Sequence, residues 1–197
     1  MTAQNVSDPR VILASASPRR RELLRQVGVR FRAVVAEVDE SVLPGEQPAD
    51  YVLRVARDKV LAIQATDGSG LPVLAADTAV VLDQRILGKP ADRAGAISML
   101  RSLSGRTHEV YSAVVLAQAG QPLRECLNIS RVTFAELDPD WIEAYCDTGD
   151  SMDKAGAYGV QGLAAEKIPR IEGSFSGVMG LPLYETCQLL RQAEVLF

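Results

Sequence analysis

Residues 10–21 read Arg10-Val11-Ile12-Leu13-Ala14-Ser15-Ala16-Ser17-Pro18-Arg19-Arg20-Arg21, and this stretch sets the fold class. The run Val11 to Ala14 is apolar and short, the length of a buried strand. Ser17-Pro18 then supplies a helix N-cap and the proline favoured at the first helical position, and Gly28 supplies the stop. A strand feeding directly into a helix opens an α/β unit. The first helical turn breaks a rule, however. Free N–H groups and the positive dipole end favour Asp or Glu there, yet this chain places three arginines. Each is unfavourable by about 0.3–1 kcal/mol unless something answers it. Two readings stay open. The run is a solvated basic helix start, or it is an anion site where the helix N-terminus, the Ser15 and Ser17 hydroxyls and forked arginine donors meet phosphate oxygens.

Outward from this stretch the alternation continues. Phe31 to Ala36 reads as a second strand, followed by the polar loop Glu37-Val38-Asp39-Glu40. The spacing of Val52, Val55, Ala56, Val60 and Ile63 predicts a helix over Pro48 to Thr66. Pro72 to Leu82 reads as a strand broken by Asp77-Thr78, with Asp83-Gln84 turning it into a short partner, Arg85 to Leu87. A helix follows from about Asp92 to Leu103. His108 to Gln118 and Pro122 to Leu137 read as a long hairpin around Ala119-Gly120-Gln121. Asp138-Pro139 opens a short helix ending at Gly149, and a last helix runs from near Pro182 to about Gln192. No linker divides the chain, so residues 1–197 are expected to form one domain.

Composition removes several classes. The 197 residues are 47% hydrophobic and 23% charged, with 21 basic against 25 acidic side chains and a net charge of -4. No apolar run approaches the ~18 residues of a membrane span. Met1 to Pro9 is polar and lacks the pattern of a signal peptide. Three scattered cysteines and a single histidine, His108, suit neither a zinc site nor a disulfide scaffold. A reduced cytoplasmic compartment fits them. The acidic balance and 5% aromatic content argue against a nucleic acid polymer as partner.

The remaining anomalies are polar residues in apolar settings. Asp77 lies between Leu74-Ala75-Ala76 and Ala79-Val80-Val81-Leu82, where a partnerless buried carboxylate would be costly. It is a turn residue, or a cleft carboxylate that binds a metal, acts as a general base, or does both. On the Pro48–Thr66 helix, Lys59 falls about 20° from Val52 and about 40° from Ile63 at 3.6 residues per turn. It snorkels to water, or its ammonium reaches an anion in a cleft. Arg54 and Asp58 point away and read as solvated. Glu37, Asp39 and Glu40 form a flexible acidic loop or an oxygen-ligand site for Mg²⁺ or Mn²⁺. Lys89, ahead of Pro90, carries little signal alone. Gly156-Ala157-Tyr158-Gly159-Val160-Gln161-Gly162 is neither a P-loop nor a dinucleotide fingerprint. It permits close backbone approach to a ligand, with Gln161 as a side-chain reader, or it is a plain glycine-rich loop. No Ser, Cys or His set forms a nucleophile constellation. Basic residues for phosphate and carboxylates for a metal and a proton suit metal-assisted attack of water on a phosphoanhydride.

At these same residues the chain resembles the Maf family of nucleoside triphosphate pyrophosphatases. The resemblance is carried by Val11–Ser15 with Ser17-Pro18-Arg19-Arg20, by Glu37–Glu40, Arg57-Asp58-Lys59 and Ala76-Asp77-Thr78. It continues in Ile86–Pro90, Asp153–Gly162 and Val178–Pro182. It implies an α/β fold with a mixed central sheet, flanking helices and two lobes around a cleft, similar to inosine triphosphate pyrophosphatases. It also implies a cytoplasmic homodimer that cleaves a nucleoside triphosphate to the monophosphate and pyrophosphate, using Mg²⁺, Mn²⁺ or Co²⁺. By the match, Asp77 accepts the proton. Ser15, Arg20, Lys59 and Lys89 surround the triphosphate, and Glu40 helps Asp77 hold the metal. The family divides by base. The branch that prefers 7-methyl-GTP is expected to carry an aromatic at position 19, Gln at 78 and Glu at 161. Arg19, Thr78 and Gln161 match the dTTP- and UTP-preferring branch, and a Gln amide offers a pyrimidine edge both donor and acceptor. The alternatives are a pyrophosphatase for 7-methyl-GTP or other modified nucleotides, or a nucleotide-binding regulator of cell division, a process with which the family is associated. Gln84-Arg85 departs from the family, where a Gly often sits in that turn.

Overall fold

The computed structural model describes residues 8–195 and residue 197. The reading of the polar N-terminus falls largely on residues 1–7, outside the described residues. The element order is β1 (Val11–Ala14), α1 (Pro18–Gln26), β2 (Phe31–Val34), α2 (Pro48–Thr66), β3 (Val73–Leu82), β4 (Arg85–Leu87), α3 (Arg93–Leu103), β5 (Thr107–Ala117), β6 (Arg124–Thr133), α4 (Pro139–Asp147), β7 (Arg170–Glu172), α5 (Phe175–Val178) and α6 (Leu183–Gln192). Two short 3₁₀ segments, Ala155–Ala157 and Leu163–Lys167, lie between α4 and β7. Among the described residues no helix is long and apolar enough to cross a membrane.

The strands form one mixed sheet in the order β2-β1-β3-β5-β6-β7, with β4 also on β3. β1 runs parallel to β2 and β3, and the other pairings are antiparallel. One edge of β3 is paired with β5 without interruption from Val73 to Val81. The other edge meets β1 only at Val73 and Leu74, and β4 at Val80 to Leu82. Residues 75–79 therefore face a gap between the end of β1 and the end of β4, where Leu87 pairs with Val80, and Asp77 and Thr78 stand in it. This corrects the expected break at Asp77-Thr78. The strand runs through both residues because Ala113 and Ser112 of β5 sit opposite them, and a paired neighbour outweighs local polarity. The β5–β6 hairpin is also shorter than expected, since β6 ends at Thr133.

Successive residues of a strand face opposite sides of the sheet. Ile12, Ala14, Val73, Ala75 and Val115 pack against Val52, Ala56, Val60 and Ile63 of α2. On the other side Val11, Leu13, Leu74, Val80 and Val114 pack with Leu23 and Leu24 of α1, Leu100 of α3, Ile142 of α4 and Leu190 of α6. Each fully buried aliphatic side chain contributes about 1.5–3 kcal/mol, so the α2 stripe is strong enough to carry one lysine inward. Asp77 faces the α2 side, and Thr78 the other.

Candidate active site

A cleft of about 820 Å³ opens where β1 ends and the chain turns into α1. This is the usual place for a ligand in an open α/β sheet, outside the carboxyl end of a strand that its neighbour overruns. All nine residues to which the family resemblance gives a role line it: Ser15, Arg19, Arg20, Glu40, Lys59, Asp77, Thr78, Lys89 and Gln161.

α1 starts with the Ser17 hydroxyl accepting the Arg20 N–H at 3.4 Å, and its first turn carries no acidic residue. The three arginines then separate. Arg20 turns inward: its Nε donates to the Gly180 carbonyl at 2.8 Å, Nη2 to the Thr78 hydroxyl at 3.2 Å and Nη1 to the Ser15 hydroxyl at 3.4 Å. Burial lowers its pKa, against the raising influence of Asp77 and Glu40. Arg19 reaches across to Asp153, 3.5 Å away. Arg21 donates to the Ala16 carbonyl and takes no part in the cleft.

Lys59 does not snorkel; it is 7% exposed. Its ammonium donates to Asp77 Oδ1 at 2.8 Å and lies 2.7 Å from Glu40 Oε1. Burial raises the Asp77 pKa, only partly countered by the charges of Lys59 and Arg20. Glu40 is also pushed up by burial, but the hydrogen bond and charge of Lys59, then Lys89 and Arg20, outweigh this and hold it below its usual value.

The acidic loop is less acidic in function than its composition suggested. Among the described residues no three His, Cys, Asp or Glu side chains are grouped to hold a metal. Asp39 folds back to accept the Ser41 N–H at 2.8 Å. Glu40 alone of the three lines the cleft. What fixes it is α2. Tyr51 donates its hydroxyl to the Glu40 carbonyl at 3.0 Å. Arg54, expected to be merely solvated, donates to the Ser41 carbonyl at 2.8 Å and pairs with Glu46 at 2.6 Å. Two carboxylates with Lys59 between them do not make a complete resident metal site. They do fit a cation that brings other oxygen ligands with it, since Mg²⁺ is commonly held by one or two carboxylates plus substrate phosphates.

The far wall is the glycine-rich segment. Gly156 donates its N–H to the Gly88 carbonyl at 3.1 Å, which ties this wall to the residue preceding Lys89. A Cβ there would sit 2.9 Å from Val80, at φ +68°, so only glycine fits. Lys154 donates to the Asp150 carbonyl at 2.7 Å, to Asp150 Oδ1 at 2.8 Å and to Asp153 Oδ1 at 2.6 Å. The Tyr145 hydroxyl donates to Asp150 Oδ2 and accepts the Gly159 N–H. Gln161 stands exposed on this scaffold. Thr78 is less free. Its hydroxyl is taken up by Arg20, by Ser112 at 3.1 Å and by the Gly180 carbonyl at 3.4 Å.

Sequence reasoning assigned no role to Tyr51, Arg54, Asp150, Lys154, Tyr158 or the Gly180 carbonyl. Only Asp153-Lys154 had a signal, two charges at the mouth of a glycine-rich segment. His108 is 2% exposed and shares a 2.7 Å hydrogen bond with Tyr158, and burial lowers its pKa to about 4. It is neutral at physiological pH and supports Tyr158 in the cleft wall.

A mixed sheet with a gap beside one buried aspartate, basic side chains around it and a hydrogen-bonded glycine-rich wall opposite form a cleft whose charge suits an anionic ligand. The profile of the Maf-like protein family matches residues 10–193, and the chain belongs to that family. It is 52% identical over 195 residues to the dTTP/UTP pyrophosphatase of Bordetella avium, covering 95% of this chain and 96% of that one. It is 50% identical over 192 residues to the dTTP/UTP pyrophosphatase of Methylobacillus flagellatus, covering 97% and 96%. Among solved structures, a HAM1 protein from Coxiella burnetii aligns with TM-score 0.51 at 18% identity over 94% of this chain and 100% of that one, a likeness of fold.

Proposed function

We propose that this protein hydrolyses nucleoside triphosphates, dTTP and UTP foremost, to the monophosphate and pyrophosphate. The observation that carries the reading is the buried Asp77 facing a cleft that Arg20, Lys59, Lys89 and the Ser15 hydroxyl also line. The relatives at 50–52% identity, both dTTP/UTP pyrophosphatases by name, support it. A water oxygen bonds to the α-phosphorus while the bond from that phosphorus to the bridging oxygen breaks, and pyrophosphate leaves. Asp77 takes the water proton, a task for which its raised pKa suits it better than an ordinary carboxylate. Arg20, Lys59, Lys89 and the Ser15 hydroxyl bind the triphosphate and offset charge gathering on the leaving group. Asp77 and Glu40 would hold a divalent cation, Mg²⁺, Mn²⁺ or Co²⁺, arriving on the triphosphate, which when bound supplies further neutralisation of phosphate charge.

At the other end Arg19 and Gln161 face the base. Thr78 contributes to selection by holding Arg20 and the Gly180 carbonyl in place rather than by touching the base. We read residues 1–197 as a single two-lobed pyrophosphatase domain, supported by one sheet that spans the cleft. The family resemblance extends this to a cytoplasmic homodimer acting on free nucleotides. The net charge of -4 agrees with a free nucleotide rather than a nucleic acid polymer. A panel of dTTP, UTP, dCTP, ATP and 7-methyl-GTP with Mn²⁺ tests the reading. Monophosphate and pyrophosphate should form fastest from dTTP and UTP. Release of orthophosphate alone, or preference for 7-methyl-GTP, overturns it.

A further inference from the structure

We propose that Lys59 is the resident counter-ion of Asp77 and Glu40, so that the free protein excludes divalent cations and admits one only together with a triphosphate. This rests on the reading above for the identity of the triphosphate, but not for the exclusion itself.

The geometry is that of an occupied cation position. The Lys59 ammonium lies 2.8 Å from Asp77 Oδ1 and 2.7 Å from Glu40 Oε1, bridging two carboxylates that no other basic side chain pairs with among the described residues. Lys59 is 7% exposed and Asp77 6%, so water screens their contact poorly, while the Glu40 side chain is about half exposed. A divalent ion bridging the same carboxylates must come to about 2.0–2.1 Å from their oxygens. It would then share those oxygens with an ammonium already on them, and two like charges at that range repel strongly. The Arg20 guanidinium adds a further positive charge, close enough to influence both carboxylates.

A triphosphate changes this balance. An ammonium has three N–H donors, and two are spent on Asp77 and Glu40. The third finds no protein acceptor among the described residues and is free for a phosphate oxygen. Phosphate also brings negative charge that answers Arg20 and Lys89, and oxygens that complete the coordination of the cation. Lys59 can then move its hydrogen bonds to phosphate and leave the carboxylates to the metal. Cation and triphosphate each raise the affinity of the other, as linkage requires.

The test measures Mn²⁺ binding by water-proton relaxation enhancement on the full chain, without turnover, at mildly alkaline pH where the carboxylates are ionised. Wild-type protein with Mn²⁺ alone should give no enhancement at concentrations where addition of α,β-methylene-dTTP gives a strong one. Lys59→Gln and Lys59→Met should bind Mn²⁺ without nucleotide at least about tenfold more tightly than wild type, because the repulsion is gone. Wild type that binds Mn²⁺ alone as tightly as with the analogue overturns the proposal, whether or not the variants fold. So does folded Lys59→Gln that gains no affinity. The arms without nucleotide are independent of the substrate reading. Failure of dTTP turnover in the panel would overturn that reading and leave the exclusion of Mn²⁺ by Lys59 standing or falling on its own data.

Discussion

Arg20 and Arg19 are neighbours on α1 and end in opposite circumstances. Arg20 is held by three protein acceptors from three separate segments, Gly180, Thr78 and Ser15. Arg19 is about a third exposed and has one ion pair, at 3.5 Å to a largely exposed Asp153. The same contrast runs along the cleft. At the end proposed to take the phosphates Lys59 is fixed by two carboxylates, and Glu40 is in turn fixed by Tyr51. At the end proposed to take the base Gln161 is exposed on a loop. On the function proposed above, the fixed charges would serve the step common to all triphosphates, and fixed charges are costly to rearrange, so they are preorganised. Base selection would then rest on neutral or screened contacts, each worth little. Specificity in this fold should therefore be far easier to change than chemistry.

The sharpest break of that contrast is Asp77→Asn. Loss of a general base lowers turnover by about 10²–10⁴-fold, read as pyrophosphate release from dTTP. The fold should survive. Burial raises the Asp77 pKa in the folded state, so the folded chain binds that proton more tightly than the unfolded chain does. This group favours folding below its unfolded pKa and loses that contribution as pH rises through its folded pKa. Glu40, held below its usual value, does the reverse: its contribution is present above the unfolded pKa and lost as pH falls through the folded one. At neutral pH Asp77→Asn should thus keep or raise Tm while activity collapses. A matching drop in Tm would mean that the ion pair with Lys59 outweighs the burial of Asp77. In wild type the acid limb of kcat/KM should lie above the ordinary carboxylate range, and a limb at or below it would remove Asp77 as the base.

Next in size is Arg20→Ala. Charge-assisted hydrogen bonds are worth about 1.5–3 kcal/mol, so KM for dTTP should rise about 10- to 100-fold. An unchanged KM would mean that Arg20 serves only to tie Gly180 to Thr78. At the base end Gln161→Ala should cost about 2- to 10-fold in kcat/KM for dTTP and UTP, the worth of neutral hydrogen bonds, and narrow their lead over other triphosphates. A loss as large as that for Arg20 would erase the contrast between the two ends.

The contrast also marks what could be read from the sequence. β1, α1, α2 and α3 followed from local periodicity and caps, because each is specified by residues within one or two turns of it. The fixed site residues were legible for a related reason. Asp77 in an apolar strand and Lys59 beside an apolar stripe are local contradictions, and such contradictions gather where function sets residue choice. What could not be read depends on distant partners. The continuity of β3 through Asp77 is imposed by β5. The burial of Lys59 is decided by a carboxylate 18 residues away. The pinning of Glu40 by Tyr51 and Arg54 has no periodic signature. The short elements between 155 and 178 are held by distant partners, β7 by β6 and the start of α5 by contacts such as Ser174 N–H to the Ser130 hydroxyl, 44 residues apart. Ser174 caps α5 by accepting the Gly177 N–H.

The smallest effect tests whether the phosphate end is as fixed as its hydrogen bonds imply. Asp83 and Gln84 join β3 to β4 with φ of +50° and +63°. Both lie in the left-handed region that suits glycine, in the hairpin turn where family relatives are expected to carry one. A side chain there is strained by about 1 kcal/mol, and Gln84→Gly relieves it against the added freedom that glycine gives the unfolded chain. The net gain should be below about 1 kcal/mol, a rise in Tm of a few degrees at most for a chain of this length. Gln84 is exposed and does not line the cleft. β4 nevertheless leads to Gly88, whose carbonyl accepts the Gly156 N–H, and then to Lys89. If Gly156, Arg20 and Lys59 already hold the phosphate end in its working geometry, a firmer hairpin leaves KM for dTTP unchanged. A fall in KM would show that Lys89 moves with the hairpin, and that this corner of the phosphate end is as adaptable as the base end.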